Sequence, residues 1–150
     1  MKLTGPNGSF DLSLLGYQFP NLTAEPYDSN WLQVRVAVDH PRGLWTATDP
    51  CLLTYEAASL ADWLDAVALG TAADSELRFL EPCLWFELRD GTGGASTVRV
   101  YFQYEFRPPW ARDFEDDETA LDLPVEEGQF RRAAAALRLQ LREYPQRAER

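Results

Sequence analysis

Several kinds of residue are scarce in this chain, and each scarcity excludes a class of function. Histidine is nearly missing: His40 is the only one, and Cys51 and Cys83 are the only cysteines. One His and two widely separated Cys give no zinc-ligand spacing. His40 lies in "VDHPRG", a stretch that reads as a solvent-exposed turn tip, so a Ser or Cys nucleophile has no base within view. Two cysteines cannot form a disulfide framework, and each is expected to act as a small buried hydrophobe with a free thiol. Long apolar runs are absent too. None approaches the ~20 residues of a membrane helix. The N-terminal "MKLTGPNGSFDLSLL" is broken by Gly5, Pro6, Asn7 and Asp11 before a signal-peptide core could form. A cytoplasmic location is the expectation, and it leaves the sequon Asn21-Leu22-Thr23 without meaning.

Positive charge is in short supply as well. Fourteen Lys and Arg face 24 Asp and Glu, a net charge of -10. Such a field repels nucleic acid and anionic membranes and favours a basic protein as partner. Glycine is missing between residues 94 and 128, so the acidic run there lacks the central Gly of an EF-hand loop. The Gly-rich "GTGGAS" leads into a strand pattern, not a helix, and is no phosphate loop. With 24 acids in the chain, a pair of carboxylates carries little weight as a glycosidase signature. The expectation is a protein without catalytic residues, metal site or cofactor.

What is present suffices for a core. The chain has 150 residues, 45% of them hydrophobic and 13% aromatic, with five Trp, eight Phe and six Tyr. That fits one domain over residues 1–150, burying roughly 70% of its unfolded surface. Strict alternation marks strands at 10–14, 32–38 and 97–106, the last through Val98, Val100, Phe102, Tyr104 and Phe106. Shorter runs at 44–48, 76–80, 84–89 and 119–123 read the same way. Turn residues at 39–43 and 90–94 make hairpins. Helical spacing links Leu60, Trp63, Leu64 and Val67, with Ser59 and Asp62 as a capping box and Gly70 as the stop. A second stripe runs Phe130, Ala134, Leu137, Leu141 and Tyr144, and Pro145 ends it. Three strands, a helix, four strands and a helix predict an α+β domain: a mostly antiparallel sheet of about seven strands, one face covered by two helices.

Two features could carry function. The first is the run of six acids from Asp113 to Asp122 without a Lys or Arg, centred on Asp113, Glu115, Asp116, Asp117 and Glu118. Two prolines and Trp110 stiffen its start, and a stiff acidic loop steers a basic partner. The second is an aromatic and arginine face, with Trp31, Arg35, Trp45, Trp85, Arg99 and Tyr101 on the nominally polar sides of strands. Trp, Tyr and Arg are the residue types that anchor interfaces, although core packing also accounts for them. An internal echo, "DPCLL" at 49–53 and "EPCLW" at 81–85, is not extended on either side as a repeat would be and reads as two strand entries sharing proline chemistry.

Six blocks taken together resemble a known family: "LTGPNGSFDLSLLGYQFP", "YDSNWLQVRVAV", "DPCLLTYEAASLADWLDAV", "FLEPCLWFEL", "VRVYFQYEFRPPW" and "LRLQLREYPQR". In their order of aromatic, Pro and Gly positions they are similar to the WapI-type immunity proteins of bacteria, from Leu3 to about Arg147. The resemblance implies a cytoplasmic, non-catalytic protein that binds the toxic C-terminal domain of a polymorphic toxin, often a nuclease, and blocks it. The implied partner is a basic toxin domain, with neither nucleic acid nor membrane bound directly and a monomer as the default state. Two other readings of the residues stay open: a cytoplasmic regulatory module gripping a ligand or protein, and a metal-dependent hydrolase built on the acidic loop.

Overall fold

The computed structural model describes residues 1–111 and 119–148. Its first four strands, β1 (Lys2–Gly5), β2 (Gly8–Tyr17), β3 (Trp31–His40) and β4 (Gly43–Leu53), form one antiparallel meander. Helix α1 (Thr54–Ala68) follows without a break. Then β5 (Glu76–Leu77), β6 (Leu84–Asp90), β7 (Ser96–Phe102) and β8 (Leu121–Pro124) form a second meander, and α2 (Glu127–Leu141) completes the described elements. The class is α+β, as the alternation and helical stripes predict, but the strands divide into two four-stranded sheets where one of about seven was expected.

Alternation shows which face of a strand is buried and not which strand covers it. Here each sheet's apolar face covers the other. Phe10 of β2 meets Phe86 of β6 edge-on and Phe102 of β7 at a tilt, both at 5.8 Å between ring centroids. Leu12, Val34, Val36 and Trp45 on one side, and Val98, Val100, Leu121 and Leu123 on the other, continue one core. Leu60, Trp63 and Leu64 of α1 and Phe130, Ala134 and Leu137 of α2 belong to the same core.

The additional strand is β1, four residues with Leu3 fully buried, too short for alternation to register. Pro6-Asn7 turns it back onto β2, with Gly5 opposite Gly8. Gly8 has φ +150°, and a Cβ there would lie 2.0 Å from the Asp39 carbonyl oxygen, so only glycine lets β3 pass.

Several boundaries move, and for two of them the structure shows the cause. Helix α1 starts at Thr54, five residues before the Ser59 capping box. Glu56 supplies the cap, its carboxylate accepting from the Leu53 N–H at 3.0 Å and the Leu80 N–H at 2.8 Å. Ser59 donates back to the Tyr55 carbonyl instead. The long strand predicted to Phe106 stops at Phe102, because Tyr104 turns the chain at φ 49° into a short 3₁₀ turn, Tyr104–Phe106. The buried Trp45 indole N–H holds this turn through the Phe106 carbonyl, at 3.0 Å. No spacing in β7 could announce a donor from β4.

Candidate binding surface

Because the inner faces pack together, the outer faces of the two sheets point away from each other. The aromatic and arginine face expected from the sequence is therefore divided. Trp85, Arg99 and Tyr101 lie on the outer face of the second sheet, Trp31 and Arg35 belong to the first sheet, and Trp45 is in the core.

On the second sheet, Trp85 and Tyr101 are direct cross-strand partners, their rings stacked at 3.6 Å and within 1° of parallel. The Arg78 guanidinium lies 3.8 Å from the Trp85 ring centroid, so cation and two rings form a stack. The Tyr101 hydroxyl donates to Glu87 at 2.7 Å. Arg99 holds Asp122 in a two-pronged ion pair at 2.7 and 2.8 Å. That pairing holds the Asp122 carboxyl below its usual range, while burial and the Glu87 bond raise the Tyr101 phenol. Charges on this plate are already matched, so a partner landing on it would find little unpaired charge.

The hairpin tip between β3 and β4 is a different kind of place. His40, expected in solvent, is buried, because the chain around the acidic run folds over it. Its Nδ1 accepts from the Arg42 N–H at 3.1 Å, and its Nε2 faces the Ala120 carbonyl at 3.2 Å, which the neutral Nε2–H tautomer satisfies. Trp110 packs against His40 and Trp45, with centroids at 5.9 and 5.3 Å, and over Gly43, where a Cβ would come within 3.0 Å of the indole. His40 thus touches both flanks of the acidic run: Trp110 before it and Ala120 after it. Asp113, Glu115, Asp116, Asp117 and Glu118 themselves lie outside the described residues.

A third region was not foreseen from the sequence. A cleft of about 490 Å³ is lined by Gln18, Phe19, Asp28, Trp31, Asp49, Pro50, Glu81 and Glu105. Its four carboxylates come from four places: the turn before β3, strand β4, the loop before β6, and the 3₁₀ turn after β7. None of the lining residues is cationic, and among the described residues none of the four acids forms an ion pair. Burial, then repulsion from Glu105 and Glu81, raises the Asp49 carboxyl above its ordinary value. Among the described residues no three metal-ligating side chains converge on one point. Trp31 reaches this cleft from the expected aromatic face, and the echo read as two strand entries also falls on it: Asp49 and Glu81 are the acids of "DPC" and "EPC", and the fold brings them to the same cleft. Asp28 and Glu105 carried no signal.

Fold and surface together define an acidic α+β protein of two packed sheets. The model of the immunity protein WapI-like family matches residues 2–145, and the chain belongs to that family. No curated protein and no solved structure matches it. Among the described residues no helix is long and apolar enough to cross a membrane.

Proposed function

We propose that the whole chain acts as one immunity domain in the cytoplasm, binding the toxic C-terminal domain of a cognate polymorphic toxin and neutralising it without catalysis or cofactor. Family membership supplies the frame, and the observation that carries the reading on this chain is the unpaired acidic cleft. Four carboxylates held without cations, against the rings of Trp31 and Phe19, keep an electrostatic cost that a Lys or Arg side chain from a partner would relieve. A nuclease toxin offers such side chains, since it must be basic to hold nucleic acid.

The acids at Asp113, Glu115, Asp116, Asp117 and Glu118, with Trp110 as their anchor, act on the same partner at longer range and set the encounter rate. Trp31 contributes to the grip inside the cleft. Trp85, Arg99 and Tyr101 rank behind it, because Arg99 and Tyr101 are already paired with Asp122 and Glu87 and the Trp85 indole N–H, although it has no partner among the described residues, is buried. Arg35 stands on the outer face of the first sheet.

Binding kinetics against the toxin domain encoded beside this gene, at several salt concentrations, test the reading. Changing Glu115→Gln, Asp116→Asn and Asp117→Asn together should slow association several-fold and flatten its salt dependence, since exposed pairs contribute only ~0.2–1 kcal/mol each. Changing Asp49→Asn and Glu81→Gln should chiefly speed dissociation, because that charge is partly desolvated. Full-strength binding by both variants would remove the acidic surfaces from the interface.

A further inference from the structure

The "DPC" and "EPC" segments meet at their cysteines as well as their acids. Cys51, near the end of β4, and Cys83, just before β6, are free thiols exposed by 0% and 2%, with their sulfurs 2.7 Å apart. Each belongs to a different sheet: Cys51 lies within β4, and the Cys83 carbonyl accepts from the Gln103 N–H at 2.9 Å beside β7. The residues just ahead of them, Asp49 and Pro50 on one side and Glu81 on the other, line the acidic cleft. The thiols therefore join its two walls from beneath.

We propose that Cys51 and Cys83 are a reversible dithiol–disulfide pair which, when oxidised by a peroxide, ties the two sheets together under the acidic cleft. A disulfide spans ~2.05 Å between sulfurs, so closure asks for well under 1 Å of further approach. The balance is complete with hydrogen peroxide as oxidant. One cysteine, as thiolate, attacks a peroxide oxygen, the O–O bond breaks, hydroxide leaves and takes up a proton as water, and a sulfenic acid remains. The second cysteine attacks that sulfur, the S–O bond breaks, and a second water departs with the proton the thiol gives up. The protein pair loses two electrons and the peroxide gains them.

A small neutral oxidant suits the site. Four carboxylates above the thiols repel anionic disulfides such as oxidised glutathione. The bond to Cys83, burial and the nearby Glu56 and Asp49 also keep the Cys51 thiol protonated, which makes oxidation slow, and the burial of both sulfurs admits only a small reagent such as hydrogen peroxide. The bond would close a loop spanning 32 positions that contains α1 and β5. A cross-link of that length restricts the unfolded chain enough to raise Tm on the order of 10 °C.

The test uses the full chain, reduced and then exposed to graded hydrogen peroxide, and alkylated after unfolding. Reduced protein should take up two alkyl groups. Oxidised protein should take up none, weigh two hydrogens less as a monomer, and return to the reduced form with dithiothreitol. Its Tm before reduction should lie about 10 °C above that of the reduced form. Cys51→Ala and Cys83→Ala should each abolish the mass loss, and the wild-type Tm shift needs no variant to fold. Two thiols still open to alkylation, sulfinic acids or cross-linked dimers in place of the monomeric loss, or an unchanged Tm would each overturn the proposal.

Discussion

Two buried polar residues show how much one side chain can decide here. Asn30 is fully buried, and every contact it makes is satisfied: its amide donates to the carbonyls of Pro26 at 2.8 Å and Ala148 at 3.3 Å, and its oxygen accepts from the Thr54 hydroxyl and the Arg147 N–H, both at 2.9 Å. It ties the loop before β3, the start of α1 and the C-terminal segment to one point. Asn30→Ala leaves several of these partners unmet and should lower stability by about 2–3 kcal/mol in chemical denaturation. His40 acts through protonation. Burial, with Arg42 adding to it, lowers its pKa from 6.5, while the Ala120 bond only partly opposes the shift. The native chain therefore binds this proton less readily than the unfolded chain. The His40 contribution is complete above about pH 6.5 and is lost as pH falls from there towards the folded-state pKa. Stability followed from pH 7.5 to 5 should fall more steeply in wild type than in His40→Gln, whose side chain keeps a donor and an acceptor without titrating.

At the scale of elements, α2 does more than fill the core. Strand β1 is short, so one edge of the first sheet is left open beside β1 and again beyond it along β2. Two glutamines of α2 close that edge. Gln129 pairs with both backbone groups of Thr4, and Gln140 accepts from the Leu14 N–H at 2.7 Å. The spacing matches: eleven helical residues rise ~16.5 Å, and the five strand residues from Ser9, opposite Thr4, to Leu14 rise about the same. A bare edge is a template for pairing with other chains. Gln129→Ala with Gln140→Ala should cost about 1 kcal/mol per site and, more tellingly, raise the rate of self-association followed by light scattering. The helical stripe predicted the apolar face of α2, but its glutamines looked like ordinary solvent-facing residues because their partners are 125 and 126 positions away.

For the molecule as a whole, a charge of -10 and a cleft of unpaired acids mean that the folded state carries self-repulsion. Asp49 shows it locally: its raised pKa makes the ionised carboxylate a small burden at neutral pH, relieved as pH drops through the folded value. Tm should therefore rise by a few degrees as salt is added and the Debye length shrinks to ~10 Å at 0.1 M. Asp49→Asn should stabilise by a few tenths of a kcal/mol and respond less to salt, while weakening partner binding. Gained stability with lost binding is the pattern of a site kept for function.

The sequence by itself determined the class of fold, the buried faces of β2, β3 and β7, the apolar stripes of both helices, the hairpin turns, the net charge and the family. All of these are written in local spacing, composition or ordered motifs. Only the tertiary structure decided that the strands form two sheets, that His40 is inside, that Tyr104 ends β7, and that Trp31 and Trp85 face different ways. It alone brought Asp28, Asp49, Glu81 and Glu105 around one cleft and Cys51 against Cys83. The physical reason is shared by all of these. Periodicity tells a side chain whether it is buried, but its partner is fixed by the packing of distant segments, and where electrostatics and thiol chemistry are concerned the partner determines the behaviour.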